Sequence, residues 1–159
     1  MRGTLLVAAA LLACAPGDRD RREAERAVRA YDDALVRAFR TSDLDGMRAT
    51  ATEAEASRVR VLVDLKIADR LVLESTLERL EVLSATRAGG DGFTVRTAER
   101  WRYFDRPLDP GRPVGRAVLA EMQMEYDVAR EGGRWLVARV KTLSNRKLEP
   151  AETGLSTKE

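Results

Sequence analysis

From Leu77 onward the chain alternates with a period of two. Phe93, Val95, Thr97, Glu99, Trp101 and Tyr103 share one side of an extended segment, and Val118, Ala120, Met122, Met124, Tyr126 and Val128 share one side of another. Successive side chains of a strand point to opposite faces, so each segment reads as a strand with one face available to a core. Gly89-Gly90-Asp91-Gly92 and Glu131-Gly132-Gly133-Arg134 punctuate the run. Glycine reaches positive φ without steric penalty, which suits these segments to tight reversals. Strands joined in that way pair antiparallel. The spacing predicts four of them, at Leu77–Thr86, Phe93–Phe104, Arg116–Val128 and Trp135–Leu143. A connector over Asp105–Gly115, long for a hairpin, separates the middle two and holds three of the five prolines.

The preceding residues follow a different period. Between Asp18 and Phe39 the apolar positions Ala24, Ala27, Val28, Tyr31, Ala34, Leu35, Ala38 and Phe39 recur at three and four, the mark of one buried helical face. Thr41-Ser42-Asp43 supplies capping groups for a short helix over Leu44–Arg48, and Thr52 opens a third over Glu53–Ala68. Within that third segment Val59, Val61, Val63, Leu65 and Ile67 also alternate as a strand would. The Glu and Ala residues at 53–56 favour helix, which is the reading taken.

Helices first and a meander afterwards is α+β order, with the N-terminal helices packed on a curved, cone-like antiparallel sheet of about four strands. With Glu99-Arg100-Trp101-Arg102-Tyr103 on a middle strand and Gly132-Gly133-Arg134-Trp135-Leu136-Val137 opening the last, the chain resembles the nuclear transport factor 2-like (SnoaL-like) superfamily over residues 22–143. Its nearest flavour is the IMS-type domain of bacterial and plastid-division proteins. The resemblance implies a cone with a pocket between the concave sheet face and the helices, and often association through the sheet.

The opening segment is an address. Leu5–Ala13 is an apolar run of nine residues after Arg2, the length of an export signal and too short to span a bilayer. Leu11-Leu12-Ala13-Cys14 resembles the bacterial lipobox, which implies cleavage before Cys14 and acylation of its thiol. Cys14 is the only cysteine in the chain. Residues 1–13 are therefore expected as signal peptide, 14–21 as lipidated cysteine and tether, 22–148 as the folded domain and 149–159 as a polar tail. The cell envelope is the implied location. With Ala15 after the cysteine, the outer membrane is favoured in a Gram-negative host.

Composition removes several functions. Without histidine there is no imidazole proton shuttle, His-based triad or His-ligated metal. Twenty-eight Lys and Arg against 26 Asp and Glu make no electrostatic case for nucleic acid. No motif implies a cofactor or a metal: Ser42-Asp43-Leu44-Asp45-Gly46 lacks the remaining carboxylates of a calcium loop, and the glycine cluster at 89–92 lacks a phosphate-binding signature.

The pocket candidates are Tyr31, Glu99, Trp101, Tyr103, Tyr126 and Trp135. Glu99 in an apolar cavity would serve as a general base, with Tyr103 as a possible partner. The plainer reading, preferred on the sequence alone, makes the aromatic residues core filler and pairs Glu99 with Arg96, Arg100 or Arg102 near a rim. Arg106, Arg112 and Arg116, in and beside the connector, are candidates for contact with anions. The sequence thus describes a membrane-anchored protein whose cone is a binding or protein-interaction module, the partner a protein or small ligand and a homodimer through the sheet face also open. The alternative is a small-molecule binder or cyclase/isomerase-like enzyme. A cavity plugged by Trp101, Met122 and Trp135 would favour the first, an open one with Glu99 or a tyrosine inward the second.

Overall fold

The computed structural model describes residues 16–148. The export segment, Cys14 and the tail from 149 onward lie outside the described residues. Three helices, α1 (Pro16–Thr41), α2 (Asp45–Thr50) and α3 (Glu53–Ala68), precede four strands, β1 (Leu71–Ala88), β2 (Gly92–Pro107), β3 (Val118–Glu131) and β4 (Arg134–Leu148). The strands form one antiparallel sheet in the order β1-β2-β3-β4. No helix among the described residues is long and apolar enough to cross a membrane.

α1 begins earlier than its apolar stripe. Residues 16–21, expected as tether, are its first turns, and Pro16 stands at the start, where a missing N–H costs nothing. The helix lays Ala24, Val28, Tyr31, Ala34 and Ala38 into the core against Phe93, Val95, Tyr126, Val128 and Val137 of the sheet. Its outer face is tied by Arg19–Glu23 and Arg21–Glu25 pairs one turn apart. Leu44 is the N-cap of α2 and gives it no side-chain bond; Asp43, one residue earlier, accepts through Oδ1 from Asp45 N at 2.9 Å.

The strands run past their expected ends. β1 starts at Leu71 because Arg70, in the left-handed region at φ 57°, turns the chain straight out of α3. β2 continues to Pro107, paired with Leu71, so the connector shrinks to residues 108–117. Gly132 and Gly133 both have positive φ and close a two-residue β3–β4 hairpin, the geometry whose twist matches its strands. Each outer strand carries two extra residues against its neighbour, Glu78 and Leu83 in β1 and Ala138 and Leu143 in β4. Such bulges bend a strand and increase its twist. They also explain why Leu83 and Leu143 are exposed in otherwise alternating segments.

The third segment is helical. In that conformation alternate residues diverge: Val59 and Val63 are buried, whereas Val61 and Leu65 are each 58% exposed. A strand would have put all four on one side. Val59→Ala should therefore cost about 2 kcal/mol and Val61→Ala less than about 0.5 kcal/mol, as measured by urea denaturation. Equal losses would contradict the helical phase.

Candidate functional site

Between α1, α3 and the inner face of the sheet lies a cavity of about 420 Å³. Leu35, Phe39, Leu73, Trp101, Met124 and Val140 contribute its apolar walls. Four of its most deeply buried polar groups come from three elements that the strand and helix periods aim at one place. Tyr31 and Asp32 sit on the sheet-facing side of α1, Glu99 on β2 and Tyr126 on β3, each at most 3% exposed.

Glu99 is held from its own strand. Thr97 and Trp101, two residues to either side and on the same face, donate to it: Thr97 Oγ1 to Oε1 at 2.5 Å and Trp101 Nε1 to Oε2 at 2.7 Å. Tyr126 Oη lies 2.7 Å from Glu99 Oε1 and 3.1 Å from Asp32 Oδ1. A phenol has one proton, so it cannot donate to both carboxyl groups. The shorter distance favours donation to Glu99, and the phenolic oxygen can then accept from Asp32 when that carboxyl carries its proton. Burial, followed by the charge of Glu99, pushes the Asp32 carboxyl well above its ordinary 3.8. Burial, with Asp32 and Glu99 adding to it, also raises the Tyr126 hydroxyl. With the Asp32 carboxyl the one pushed up, the arrangement that satisfies both contacts runs from Asp32 through Tyr126 to Glu99.

A second cluster backs onto the first. Tyr31 Oη donates to Glu55 Oε1 at 2.5 Å, and Arg58 grips both oxygens of Glu55 through Nε at 2.9 Å and Nη2 at 2.7 Å. Burial and Glu55 raise the Tyr31 hydroxyl, and the hydrogen bond to Glu55 raises Arg58. The two tyrosine rings meet edge to face, 6.1 Å between centroids. Arg58 and Lys66 bring positive charge to the cavity wall, Lys66 already bound to Asp105 at 2.6 Å.

Of the pocket candidates, Tyr31, Glu99, Trp101, Tyr103 and Tyr126 line this cavity. Trp135 does not: it packs edge-on against Phe93 at 5.4 Å, near the hairpin ends of β2 and β4. The pairing of Glu99 with a rim arginine is also overturned. β-Strand alternation sends Arg96, Arg100 and Arg102 to the opposite face, where Arg96 meets Glu125 and the other two flank Glu78. Arg106 belongs to β2, not the connector, and binds Glu74 at 2.9 Å. Arg112 approaches Asp109 at 4.0 Å, and Arg116 is exposed in the connector.

Asp32, Glu55 and Arg58 were not singled out by their sequence. Asp32 had a signal, because it falls between Val28 and Leu35 on the apolar stripe of α1. Glu55 is disguised as helix-capping chemistry. Thr52-x-x-Glu55 has the form of a capping box, and Thr52 does accept from Glu55 N. The return arm is missing: Thr52 N donates to Val137 O at 2.9 Å, which releases the Glu55 carboxylate toward Tyr31 and Arg58.

No protein-family model matches the chain, and no curated protein matches it in sequence. Solved structures do match in shape. The intermembrane space region of the chloroplast protein ARC6 aligns with TM-score 0.69 at 16% identity, over 78% of this chain and 96% of its own. The fold is nuclear transport factor 2-like. A ketosteroid isomerase-like protein from Erwinia carotovora atroseptica aligns with TM-score 0.55 at 18% identity, over 84% and 99%. A type 2 hexachlorocyclohexane dehydrochlorinase, LinA, aligns with TM-score 0.53 at 10% identity, over 87% and 99%.

The proton order has measurable consequences. Glu99→Ala would strand the Trp101 indole N–H, a donor only, and should cost about 1–3 kcal/mol. In Glu99→Gln the amide oxygen can keep Trp101, and the Tyr126 hydroxyl can turn to donate to Asp32. That variant should melt above Glu99→Ala, and ¹³C NMR titration should show the Asp32 carboxyl moved back toward its ordinary range. Because Asp32 titrates higher in the folded than in the unfolded chain, it costs stability as pH rises above about 3.8. Asp32→Asn is neutral throughout. Its melting temperature should gain on that of the wild type between about pH 4 and neutrality, with no such gain in more acid solution.

Proposed function

We propose that this chain is an exported, lipid-anchored envelope protein whose cone binds a small, mainly apolar molecule. The open cavity carries this reading. At about 420 Å³ it falls within the roughly 300–1,000 Å³ of small-molecule sites, and it has their make-up of apolar walls with a few convergent polar groups. Trp101 is drawn to the wall by its bond to Glu99, and Trp135 packs elsewhere, so neither plugs the cone. The anchor reading rests on Leu11-Leu12-Ala13-Cys14. Two or three acyl chains hold a protein to a bilayer where one does so only marginally. The ARC6 region, itself assigned to an intermembrane space by its description, is consistent with an envelope setting.

Catalysis is the second reading, favoured by the acid–phenol–carboxylate row beside the cavity and by neighbours described as isomerase-like and dehydrochlorinase proteins. Binding leads because Glu99, the sequence-derived candidate base, already accepts three hydrogen bonds on its two oxygens. A carboxylate so occupied has little free capacity to take a proton from a substrate.

Calorimetric titration of the full chain with a panel of small alicyclic and aromatic compounds should find saturable binding. Met124→Trp, which fills the cavity from β3, should weaken it at least tenfold. An absence of binding across the panel, or binding indifferent to Met124→Trp, would remove the small-molecule reading. Intact-mass spectrometry of the membrane fraction should show a chain starting at Cys14 with its acyl groups, and Cys14→Ser should leave the export segment uncleaved.

A further inference from the structure

α3 has two apolar faces. Val59 and Val63 belong to the one turned into the core, and Val61, Leu62 and Leu65 are exposed on the side turned away from it. Half of the exposed large apolar residues among the described ones, Val61, Leu62, Leu65 and Ile67, sit on this single helix. Ala54, Arg58, Val61, Leu65 and Ala68, all exposed, follow one another at alternating steps of four and three. That spacing is the seam of a helix pair. A helix that is apolar all round is ordinarily buried all round, and a contiguous apolar strip left on a surface marks an interaction site.

The charges beside the strip identify what covers it. Arg60 and Asp64 are exposed and stand one turn apart, yet neither has a hydrogen-bond or ion-pair partner among the described residues. With a second α3 laid antiparallel on the first and Val61 beside Leu65 of the second copy, two-fold symmetry sets Leu65 beside Val61 of that copy. In this register the long Arg58 falls opposite the small Ala68. Arg60 comes within about one turn of Asp64 of the second copy, and Asp64 equally near its Arg60. The surface is its own complement. We propose that two copies of this chain pair through their α3 helices, antiparallel about a two-fold axis, with Val61 and Leu65 forming the seam and Arg60 and Asp64 setting the register. Burial of the strip supplies the attraction, and the charges supply the orientation. A bilayer suits the strip less well: helices seated on anionic lipid carry basic flanks, and this one carries Glu53, Asp64 and Asp69 beside its arginines. The tail is a poor cover, with Leu155 its one large apolar residue between 149 and 159. Two helices of 16 residues bury less than the roughly 1,600 Å² of a standard interface, so the pair is weak and forms at high concentration.

Cross-linking tests this on the full chain, extracted in mild detergent, concentrated and treated with a short bis-maleimide. Val61→Cys should yield a covalent dimer on denaturing gels. Arg79→Cys, on the outward face of the sheet, should give no more than the wild type, whose one cysteine is Cys14. Adding Asp64→Arg to Val61→Cys sets like charges against each other and should cut the dimer yield about fivefold or more. Adding Arg60→Asp as well restores opposite charges and should restore the yield. All four positions are exposed, so these chains should fold, as circular dichroism would show. No excess dimer from Val61→Cys, a yield indifferent to Asp64→Arg, or a loss that Arg60→Asp does not repair would each overturn the inference. A dimer trapped through Arg79→Cys instead would assign association to the sheet and overturn it too. If Val61→Cys gives no dimer and the chain binds anionic vesicles until Leu65→Asp releases it, the strip belongs to the membrane and the inference also falls. Binding in the cone is decided separately from all of these.

Discussion

One phenolic proton between two buried carboxyl groups organises this molecule. Tyr126 reaches Glu99 on the neighbouring strand and Asp32 on the helix above, so a single hydroxyl ties α1, β2 and β3 together. Two carboxylates cannot both stay charged so close together away from water. Burial and the charge of Glu99 push the Asp32 carboxyl up, and a proton kept there lets Tyr126 bond both groups. The groups that set the helix on the sheet are therefore the groups that give the cavity its polarity. Stability and the polarity of the cavity draw on the same atoms, and a substitution aimed at one will register in the other.

The cavity itself depends on curvature. A helix laid on a flat sheet would close down on the apolar face of the strands, leaving no space beneath it. Extra residues at Glu78 and Leu83 on one outer strand and at Ala138 and Leu143 on the other bend both sides of the sheet. Across the outward face, Arg96–Glu125 and Arg102–Glu78 link neighbouring strands by ion pairs. Individually such exposed pairs add little. Their presence does keep charge on the convex side, so the inner face of these strands is left to apolar and hydrogen-bonding groups.

How much of this could be read in the sequence depends on which signal carried it. The sheet was legible because alternation and glycine turns are local: alternation put Val95 and Tyr126 on the core faces of their strands, and Gly132-Gly133 marked the reversal that the structure closes as a two-residue hairpin. Strand ends were less legible. Leu71–Thr76 is paired by Arg102–Pro107, a partnership between residues some thirty positions apart that neither segment announces. Residues 58–67 satisfy both periods, since a run of β-branched residues at every second position also supplies Val59 and Val63 to one helical face. Tertiary packing made the choice. In the site, Glu99 and Tyr126 could be placed inside by parity, but their partners could not. Asp32 looked like one more charge on a helix rich in them, and Glu55 like the far half of a cap.

The diversion of Glu55 shows how the two ends of the cavity come to differ. Had its carboxylate returned to Thr52 N–H, the cap would have been closed and Arg58 would lack its bidentate anchor. Instead Val137 O accepts that N–H, the isolated bridge between Ala51 and Val137 pins the entry of α3 to β4, and Glu55 turns inward to hold Arg58 by Nε and Nη2. Arg58 keeps Nη1 beyond those two bonds, on a side chain that is half exposed. Tyr31 and Tyr126 touch by their rings yet hand their protons to different carboxylates, Glu55 and Glu99. One group of polar side chains thus ends in a fixed cation and the other in a buried carboxyl whose pKa is pushed up, with apolar walls running past both. A molecule entering such a space meets two distinct polar environments, and its orientation is set by which of its groups can satisfy each.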